Sequence, residues 1–280
     1  MDQQSLFELI GEELHSTAVQ AIEGNAEAMF TIAMRLKEKE RESEAVRWLQ
    51  EASKQEYAPA QYELANCYYA GDGTDIDEKR AFELYEQAAK KGHADAANNL
   101  ADMYLNGESV EVDEARALEW FIYAAEKGIV EAMFTLGIMY EQGLGTTPDE
   151  KQAYVYYEQA AIGGYDDAQY RLGSIYLEGL LGKKQDNERA LEWFERAAAQ
   201  FHIDAIYNLG YLYEKGIAVA QNGQKAITYY KQAALLGDYQ AKMNLADLFE
   251  AGECVPRDEE ESRKWLLAAD AQLEEAAQEW

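Results

Sequence analysis

Apolar and polar residues follow one another in blocks that each predict a hairpin of two helices, and residues 58–93 show the arrangement clearly. The apolar positions of the first half are spaced along one face of a helix: Ala60, Leu64, Ala65 and Tyr68. Those of the second half have the same spacing: Ala81, Leu84, Tyr85, Ala88 and Ala89. Gly71 and Gly92 follow the two halves, where a left-handed residue closes a helix. The block therefore predicts helix, turn, helix, turn.

The alanine near the start of this block recurs seven times, at Ala28, Ala60, Ala96, Ala132, Ala168, Ala205 and Ala241. From Ala60 onward the copies lie 36 or 37 residues apart, and the first step is shortened to 32 residues. A fixed period in this range is typical of solenoid proteins, in which each unit packs on its neighbours. The chain is therefore predicted to be all-α, with about seven stacked helical hairpins.

Each copy repeats the same kinds of side chain at the same positions. First helices carry a leucine and, four residues later, an aromatic residue: Leu100/Tyr104, Leu136/Tyr140, Leu172/Tyr176, Leu209/Tyr213 and Leu245/Phe249. A small residue follows each leucine, which predicts a close helix crossing there: Ala101, Gly137, Gly173, Gly210 and Ala246. Four of the five tryptophans share one position of the second helix, and we expect them to pack in the core: Trp48, Trp120, Trp193 and Trp265.

The shared pattern is A-x-x-x-L-[GA]-x-x-Y-x-x-G, a variable loop, and then A-x-x-[WY]-[FY]-x-x-A-A-x-x-G. It resembles the Sel-one-like repeat family, a relative of the tetratricopeptide repeat, over about residues 24–270. The resemblance implies a right-handed α/α superhelix that is used for contact with other proteins. We expect N-terminal capping helices in residues 1–23 and a C-terminal capping extension in residues 271–280, because the ends of a solenoid need polar caps.

The net charge of −28, from 25 basic and 53 acidic residues, narrows the choice of partner. Such a surface repels nucleic acid and anionic membranes and favours encounter with a basic protein. The alternative is that the charge serves solubility alone. Only Cys67 and Cys254 are present, in the second and seventh repeats, so we expect no disulfide within the chain.

The location of the protein is predicted from its first residues and its cysteines. The N-terminal residues MDQQSLFELIGEELHS lack the basic and apolar regions of a secretory signal. The cysteine pair that some secreted relatives of the family carry in each hairpin is missing here. We therefore expect a cytoplasmic protein; a mature secreted protein whose signal has been removed is the alternative.

If the first helices line a concave groove, as in tetratricopeptide proteins, the positions two before and two after each core leucine face a ligand. The position two before each core leucine is aromatic in five of seven copies: Phe30, Tyr62, Phe134, Tyr170 and Tyr207. The predicted partner-binding residues are Tyr62, Asn66, Asp95, Asn98, Asp102, Glu131, Phe134, Glu141, Asp167, Tyr170, Glu178, Asp204, Tyr207, Tyr211, Glu214 and Asp247. An aromatic floor between acidic walls suits lysine and arginine side chains. The alternative is that the rings lean on neighbouring helices and the carboxylates are only solvated.

The sequence predicts no catalytic and no metal-binding residues. The three histidines, His15, His93 and His202, do not form a distributed active site, and no metal or phosphate motif is present. We expect no cofactor, and a non-enzymatic adaptor or scaffold that binds a basic protein. Three alternatives stay open: an immunity protein that blocks a cationic toxin such as a nuclease, a homo-oligomeric scaffold, and, remotely, a hydrolase with a site in the groove. The oligomeric state does not follow from the sequence.

Overall fold

The computed structural model describes residues 14–278, which form fifteen α-helices and no β-strand. The chain divides into two compact units, one up to Pro148 and the other from Asp149 onward. The helices of the first unit are α1 (His15–Ile22), α2 (Ala26–Lys37), α3 (Glu42–Lys54), α4 (Ala58–Ala70), α5 (Glu78–Lys90), α6 (Ala94–Asn106), α7 (Glu114–Glu126) and α8 (Val130–Gln142). Those of the second are α9 (Glu150–Ile162), α10 (Asp166–Glu178), α11 (Asn187–Ala198), α12 (Ile203–Lys215), α13 (Gly223–Leu235), α14 (Tyr239–Ala251) and α15 (Glu259–Gln278).

The predicted all-α class and hairpin repeat are confirmed. In each unit the first helix of a hairpin packs on the second, as α4 does on α5 and α12 on α13, and the second helix packs on the next first helix. Helix α1 lies within the predicted N-terminal capping segment, and α15, the second helix of the seventh repeat, continues into the predicted C-terminal one. Their capping role stays a prediction, and residues 1–13 and 279–280 of those segments lie outside the described residues.

Glycine and aspartate set the hairpin boundaries. Six first helices end at a glycine with positive φ, between 67° and 81°: Gly71, Gly107, Gly143, Gly179, Gly216 and Gly252. Most second helices begin after an aspartate whose carboxylate accepts a backbone N–H of the first turn; the Asp77 carboxylate, for example, accepts from the Arg80 N–H at 3.0 Å. The polar turn between the two helices is therefore specified by its own residues.

The core consists mainly of the repeated alanines and leucines and, in the second helices α5, α7, α9, α11 and α13, of buried aromatic residues. The seven marker alanines are all buried. Phe194 and Tyr230 are fully buried, and they fill the space over the small residue of the preceding helix. A Cβ added to Gly173 would lie 2.5 Å from the Phe194 ring, and one added to Gly210 would lie 2.7 Å from the Tyr230 ring. The close crossing predicted at these two glycines is confirmed.

The tryptophan column is less buried than predicted. Trp48, Trp120, Trp193 and Trp265 are half-buried, whereas the fully buried position is the next one along the helix, occupied by Leu49, Phe121 and Phe194. Adjacent residues on a helix point about 100° apart, so only one of the two bulky neighbours can face the core. The tryptophans pack beside the core; Trp193, for example, lies under the Arg196 guanidinium, 4.5 Å from its ring centre.

A cation joins the two helices of four hairpins, a feature that was not predicted. In α5 the Arg80 guanidinium lies over the Tyr68 ring and donates to the Tyr68 hydroxyl at 3.3 Å. The same arrangement recurs in three other hairpins: Arg116 with Tyr104, Arg189 with Tyr176, and Lys225 with Tyr213. The basic residue thus covers the outer edge of the core tyrosine.

Both cysteines are free, Cys67 in the first unit and Cys254 in the second, in agreement with the prediction of no disulfide. Of the helices within residues 14–278, none has both the length and the apolar content that a bilayer crossing requires.

Candidate partner-binding surface

The predicted site lies on the first helices of the repeats, which are α2, α4, α6 and α8 in the first unit and α10, α12 and α14 in the second. We call the residues two before and two after each core leucine, with the carboxylates at the two helix ends, the first-helix surface. Consecutive first helices within a unit also contact each other beside this surface. The Lys37 ammonium pairs with the Glu63 carboxylate at 2.8 Å, and the Asn244 amide donates to the Tyr207 hydroxyl at 3.1 Å. In each unit, polar side chains therefore join successive first helices.

The aromatic residues of this face are half-buried and do not form an open floor. Tyr62 stacks on the His93 ring, with ring centres 4.4 Å apart, and Tyr170 stacks on the His202 ring at 4.6 Å. Tyr207 leans on Tyr230 at 5.5 Å. The rings thus pack against neighbouring helices, as the alternative interpretation held, and only part of each ring is left to contact a ligand.

The histidines hold this packing in place. His93 and His202 precede α6 and α12, and their Nδ1 atoms accept the backbone N–H groups of Ala96 and Ala205 at 3.3 Å. Burial lowers the pKa of His93, which favours the neutral ring that such a cap requires. His202 also contacts Asp167, one of the predicted site residues: its Nε2 atom lies 3.1 Å from a carboxylate oxygen of Asp167.

In the first unit, a cavity of about 420 Å³ opens between α4 and α6. Its lining residues are Asn66, Tyr69, Ala70, Asp72, Tyr85, Asn99, Asp102, Met103, Asn106 and Glu108. Asn66 and Asp102 are predicted site residues. Two others contact this lining: Tyr62 leans on Tyr85 with ring centres 6.1 Å apart, and the Asn98 amide donates to the Asp102 carboxylate at 3.2 Å.

Asp102 is the most perturbed carboxyl group of the face. Burial raises its pKa to about 6, and the negative charge of Glu108 adds to the effect. Within the described residues its carboxylate forms one hydrogen bond, to Asn98, and no ion pair. At neutral pH this partly desolvated charge is therefore poorly compensated by the chain.

In the second unit, a cavity of about 500 Å³ opens between α12 and α14. Its lining residues are Tyr207, Tyr211, Glu214, Lys215, Gln221, Asn244, Asp247, Leu248, Ala251, Glu253 and Cys254. Four of them are predicted site residues: Tyr207, Tyr211, Glu214 and Asp247. Glu214 already has partners, since its carboxylate pairs with the Lys215 ammonium and accepts the Tyr230 hydroxyl at 2.8 Å.

Besides Tyr62 and Asn98, eight predicted residues line neither cavity. Four of these are exposed carboxylates at the helix ends: Asp95, Glu131, Glu178 and Asp204. The other four are half-buried: Phe134, Glu141, Asp167 and Tyr170. These carboxylates lie as separate groups on individual helices, and the acidic walls stay a prediction.

Several cavity residues were missed by the sequence analysis. Tyr69 and Glu108 meet between α4 and α6, where the tyrosine hydroxyl donates to the glutamate at 3.0 Å. Asn99 and Asn244 occupy the position just before the core leucine in the third and seventh repeats. The recurrence of an asparagine at this position could have identified both residues as candidates for the site. Tyr69 and Glu108 belong to two different repeats and lie 39 residues apart, so no local sequence pattern predicts their pairing.

Both cavities offer carboxylate and amide acceptors beside tyrosine rings, a combination that suits ammonium and guanidinium groups. Among the residues that the structure describes, no group of three or more His, Cys, Asp or Glu side chains has the geometry of a metal site.

Comparison with protein families matches the Sel1 repeat at seven stretches of the chain: residues 39–57, 58–93, 94–129, 130–165, 166–200, 203–238 and 240–269. These matches cover well over half the chain. The first contains α3 alone, and each of the other six begins at a first helix of the repeat and extends into the helix that follows. No curated protein matches the chain.

Two solved structures share the fold. A protective antigen from uropathogenic Escherichia coli strains, which displays an SLR fold, is 28% identical, with a TM-score of 0.86 over 92% of this chain. The match covers 56% of that protein, so the chain spans little more than half of its length. A Sel1 repeat protein from Oxalobacter formigenes is 26% identical, with a TM-score of 0.75 over 86% of this chain and 96% of that one.

An immunity protein from Pseudomonas aeruginosa is 25% identical over 77% of this chain and 81% of its own, with a TM-score of 0.45. That score is too low for the likeness to bear on the function of this chain. The seven matched repeats and the two closely superimposing structures agree with each other and with the hairpin period. The chain therefore belongs to the Sel1 repeat family.

Proposed function

We propose that this chain is a non-enzymatic interaction module that binds a basic segment of another protein through its first-helix surface. The observation that carries the proposal is the pairing of carboxylates with half-exposed tyrosines in a cavity of each unit. Interfaces concentrate their binding energy on such aromatic anchors, and a cationic partner gains from the nearby carboxylates. The net charge of −28 accelerates encounter with such a partner.

The use of the histidines on this surface supports binding over catalysis. His93 and His202 accept backbone N–H groups and stack on tyrosines, so their ring nitrogens serve the fold. A general base needs a nitrogen within reach of a nucleophile in the site. The tyrosines Tyr85 and Tyr230 are also held as neutral hydrogen-bond donors, because burial raises their pKa values.

The role in the cell depends on which protein is bound. An adaptor would join two working partners, whereas an inhibitor would cover the active surface of a cationic toxin. Both roles use the same acidic surface, so the identity of the captured protein separates them.

The proposal predicts that reversing charge on the first-helix surface abolishes partner capture. In the test variant Asp102, Glu141 and Glu178 are all replaced by lysine. Protein is captured from the native cell on the immobilised chain and identified by mass spectrometry. Because a basic partner would then meet three added cations, we expect at least a tenfold loss of affinity. Capture by the unmodified chain should also weaken as salt is raised.

The matched control replaces three exposed carboxylates of second helices by lysine: Glu119, Glu126 and Glu192. The net charge changes equally, so capture should persist if the location of the charge matters. Circular dichroism checks that both variants fold, and a neutral triple variant (Asp102→Asn, Glu141→Gln, Glu178→Gln) gives a second test. Unchanged capture by both first-helix variants would reject the proposed surface.

A further inference from the structure

The cavity between α4 and α6 has an excess of hydrogen-bond acceptors. Three of its ten lining residues are carboxylates, namely Asp72, Asp102 and Glu108, and none is Lys, Arg or His. The two tyrosine hydroxyls of the lining are already used as donors, which leaves the amide groups of three asparagines as its other side-chain donors. The Tyr69 hydroxyl donates to Glu108 at 3.0 Å, and the Tyr85 hydroxyl donates to Asn66 at 2.7 Å. A ligand that completes this cavity must bring donors and positive charge.

An unpartnered acceptor beside the cavity gives a second, independent indication. Asn98 lies one helical turn before Asp102, and its amide nitrogen donates to the Asp102 carboxylate at 3.2 Å. The Asn98 amide oxygen is buried and has no hydrogen-bond partner. A buried acceptor without a donor costs free energy in the unbound protein. Asp102 and Asn98 together therefore leave acceptor capacity that the described residues do not fill.

The equivalent cavity of the second unit contains a basic residue that the cavity between α4 and α6 lacks. There Lys215, six residues after the core leucine of α12, forms an ion pair with Glu214. The corresponding residues of the first unit are Ala70 in α4 and Asn106 in α6, both of which line the cavity. One cavity thus contains its own cation, and the other leaves that place to a ligand.

The basic residue Lys37 on this face is engaged mainly by a carboxylate outside the cavity, although the charge of the lining residue Asp72 also contributes to its raised pKa. Lys37 on α2 pairs with Glu63 on α4 at 2.8 Å and does not line the cavity. Burial alone would lower the pKa of Lys37, but the hydrogen bond and charge of Glu63 outweigh it and the pKa is raised. The ammonium is therefore held in its own pair.

We infer that the cavity between α4 and α6 is a pocket for one arginine side chain of the bound protein. The inference rests on the proposed function and adds the residue type that this part of the surface selects. A guanidinium presents five donors in a planar fork and stacks on aromatic rings, whereas an ammonium is a compact charge with three donors. The separate carboxylates of Asp102 and Glu108 in the lining suit the fork, and Tyr69, 44% exposed, offers a ring for stacking.

The test uses the full chain and three peptides, acetyl-Gly-Xaa-Gly-amide, in which Xaa is arginine, lysine or citrulline. Citrulline has nearly the shape of arginine without its charge. Binding is followed by NMR on the side-chain amides of Asn66, Asn99 and Asn106, which line the pocket, at about 150 mM salt to screen distant charges. We expect the arginine peptide to bind about tenfold more tightly than the citrulline peptide, and more tightly than the lysine peptide.

Two variants locate the effect. Asp102→Asn should weaken binding of the arginine peptide about tenfold, and Glu108→Gln should also weaken it. The control is Glu119→Gln, an equal change of charge on an exposed second-helix residue, which should leave binding unchanged.

Equal affinity for arginine and citrulline peptides, equal affinity for arginine and lysine peptides, or full binding by Asp102→Asn would each overturn the pocket. The proposed function fails separately. If the triple lysine variant captures its partner normally while the unmodified chain binds the arginine peptide at the asparagine amides, the cavity is an arginine site that this partner does not use, and the proposed partner surface falls.

Discussion

At the scale of single residues, the surroundings of Asp102 set it apart from its counterpart in another repeat. Asp102 and Asp247 both lie two positions after the core leucine of a first helix. Asp102 is half-buried beside Tyr69 and Tyr85, whereas Asp247 is exposed. Repeat position therefore identified both carboxylates, but burial depends on neighbours in adjacent helices, which the pattern of one repeat does not give.

The raised pKa of Asp102 predicts how pH changes stability. A carboxyl group whose pKa is about 6 in the folded state and 3.8 in the unfolded state favours folding when protonated. This contribution is complete below pH 3.8 and is lost as pH rises through 6. Asp102→Asn mimics the neutral acid, so it should increase the free energy of unfolding at pH 8 by about 1–2 kcal/mol. Urea denaturation at pH 8 and pH 5 measures this, and the gain should fall to about half at pH 5.

Asp247→Asn is the matched control, because it makes the same change at an exposed position and should alter stability by less than about 0.5 kcal/mol. If Asp102→Asn destabilises the protein at pH 8, or if its effect is independent of pH, the burial assigned to this carboxylate is wrong.

At the scale of the helical element, much of each hairpin could be predicted. Helical spacing, the closing glycines and the small residue after each leucine identified the hairpins and two of their crossing points. The cation that covers the core tyrosine was not predicted, because Arg116 and Tyr104 lie in different helices, 12 residues apart. The sequence analysis placed the tryptophans in the core, whereas they are half-buried. Adjacent bulky residues such as Trp193 and Phe194 are both apolar, so the pattern alone does not show which of the two faces the core.

The crossing at Gly173 predicts that its substitution destabilises the hairpin. An added Cβ would lie 2.5 Å from the fully buried Phe194 ring, so Gly173→Ala should lower the free energy of unfolding by about 1–3 kcal/mol. Alanine is the better helix former by about 1 kcal/mol, so a loss of stability here shows that packing dominates. Urea denaturation of the single variant measures the effect.

A double-mutant cycle with Phe194→Leu separates the steric effect from other causes. In the smaller background the alanine should cost less than it does opposite phenylalanine. An equal cost in both backgrounds, or a stabilised Gly173→Ala protein, would show that the ring does not limit the space at this crossing.

At the scale of the whole molecule, repetition and charge pointed to a binding role, and each unit supplies one cavity on its first-helix surface. The sequence analysis predicted the acidic character of this surface but not which carboxylates would meet. The hydrogen bond of Tyr230 to Glu214 and the packing of Tyr62 on His93 depend on side chains that approach only after folding.

The most direct test of a binding role for the first-helix surface is hydroxyl-radical footprinting of the chain, alone and with its captured partner. Oxidation of each side chain reports its exposure to solvent. Protection is expected at Tyr69 and Tyr211 on first helices, while Trp120 and Trp193 on second helices should be oxidised as before. Protection of the two tryptophans with unchanged tyrosines would contradict the account, because the partner would then occupy the opposite helices of the hairpins.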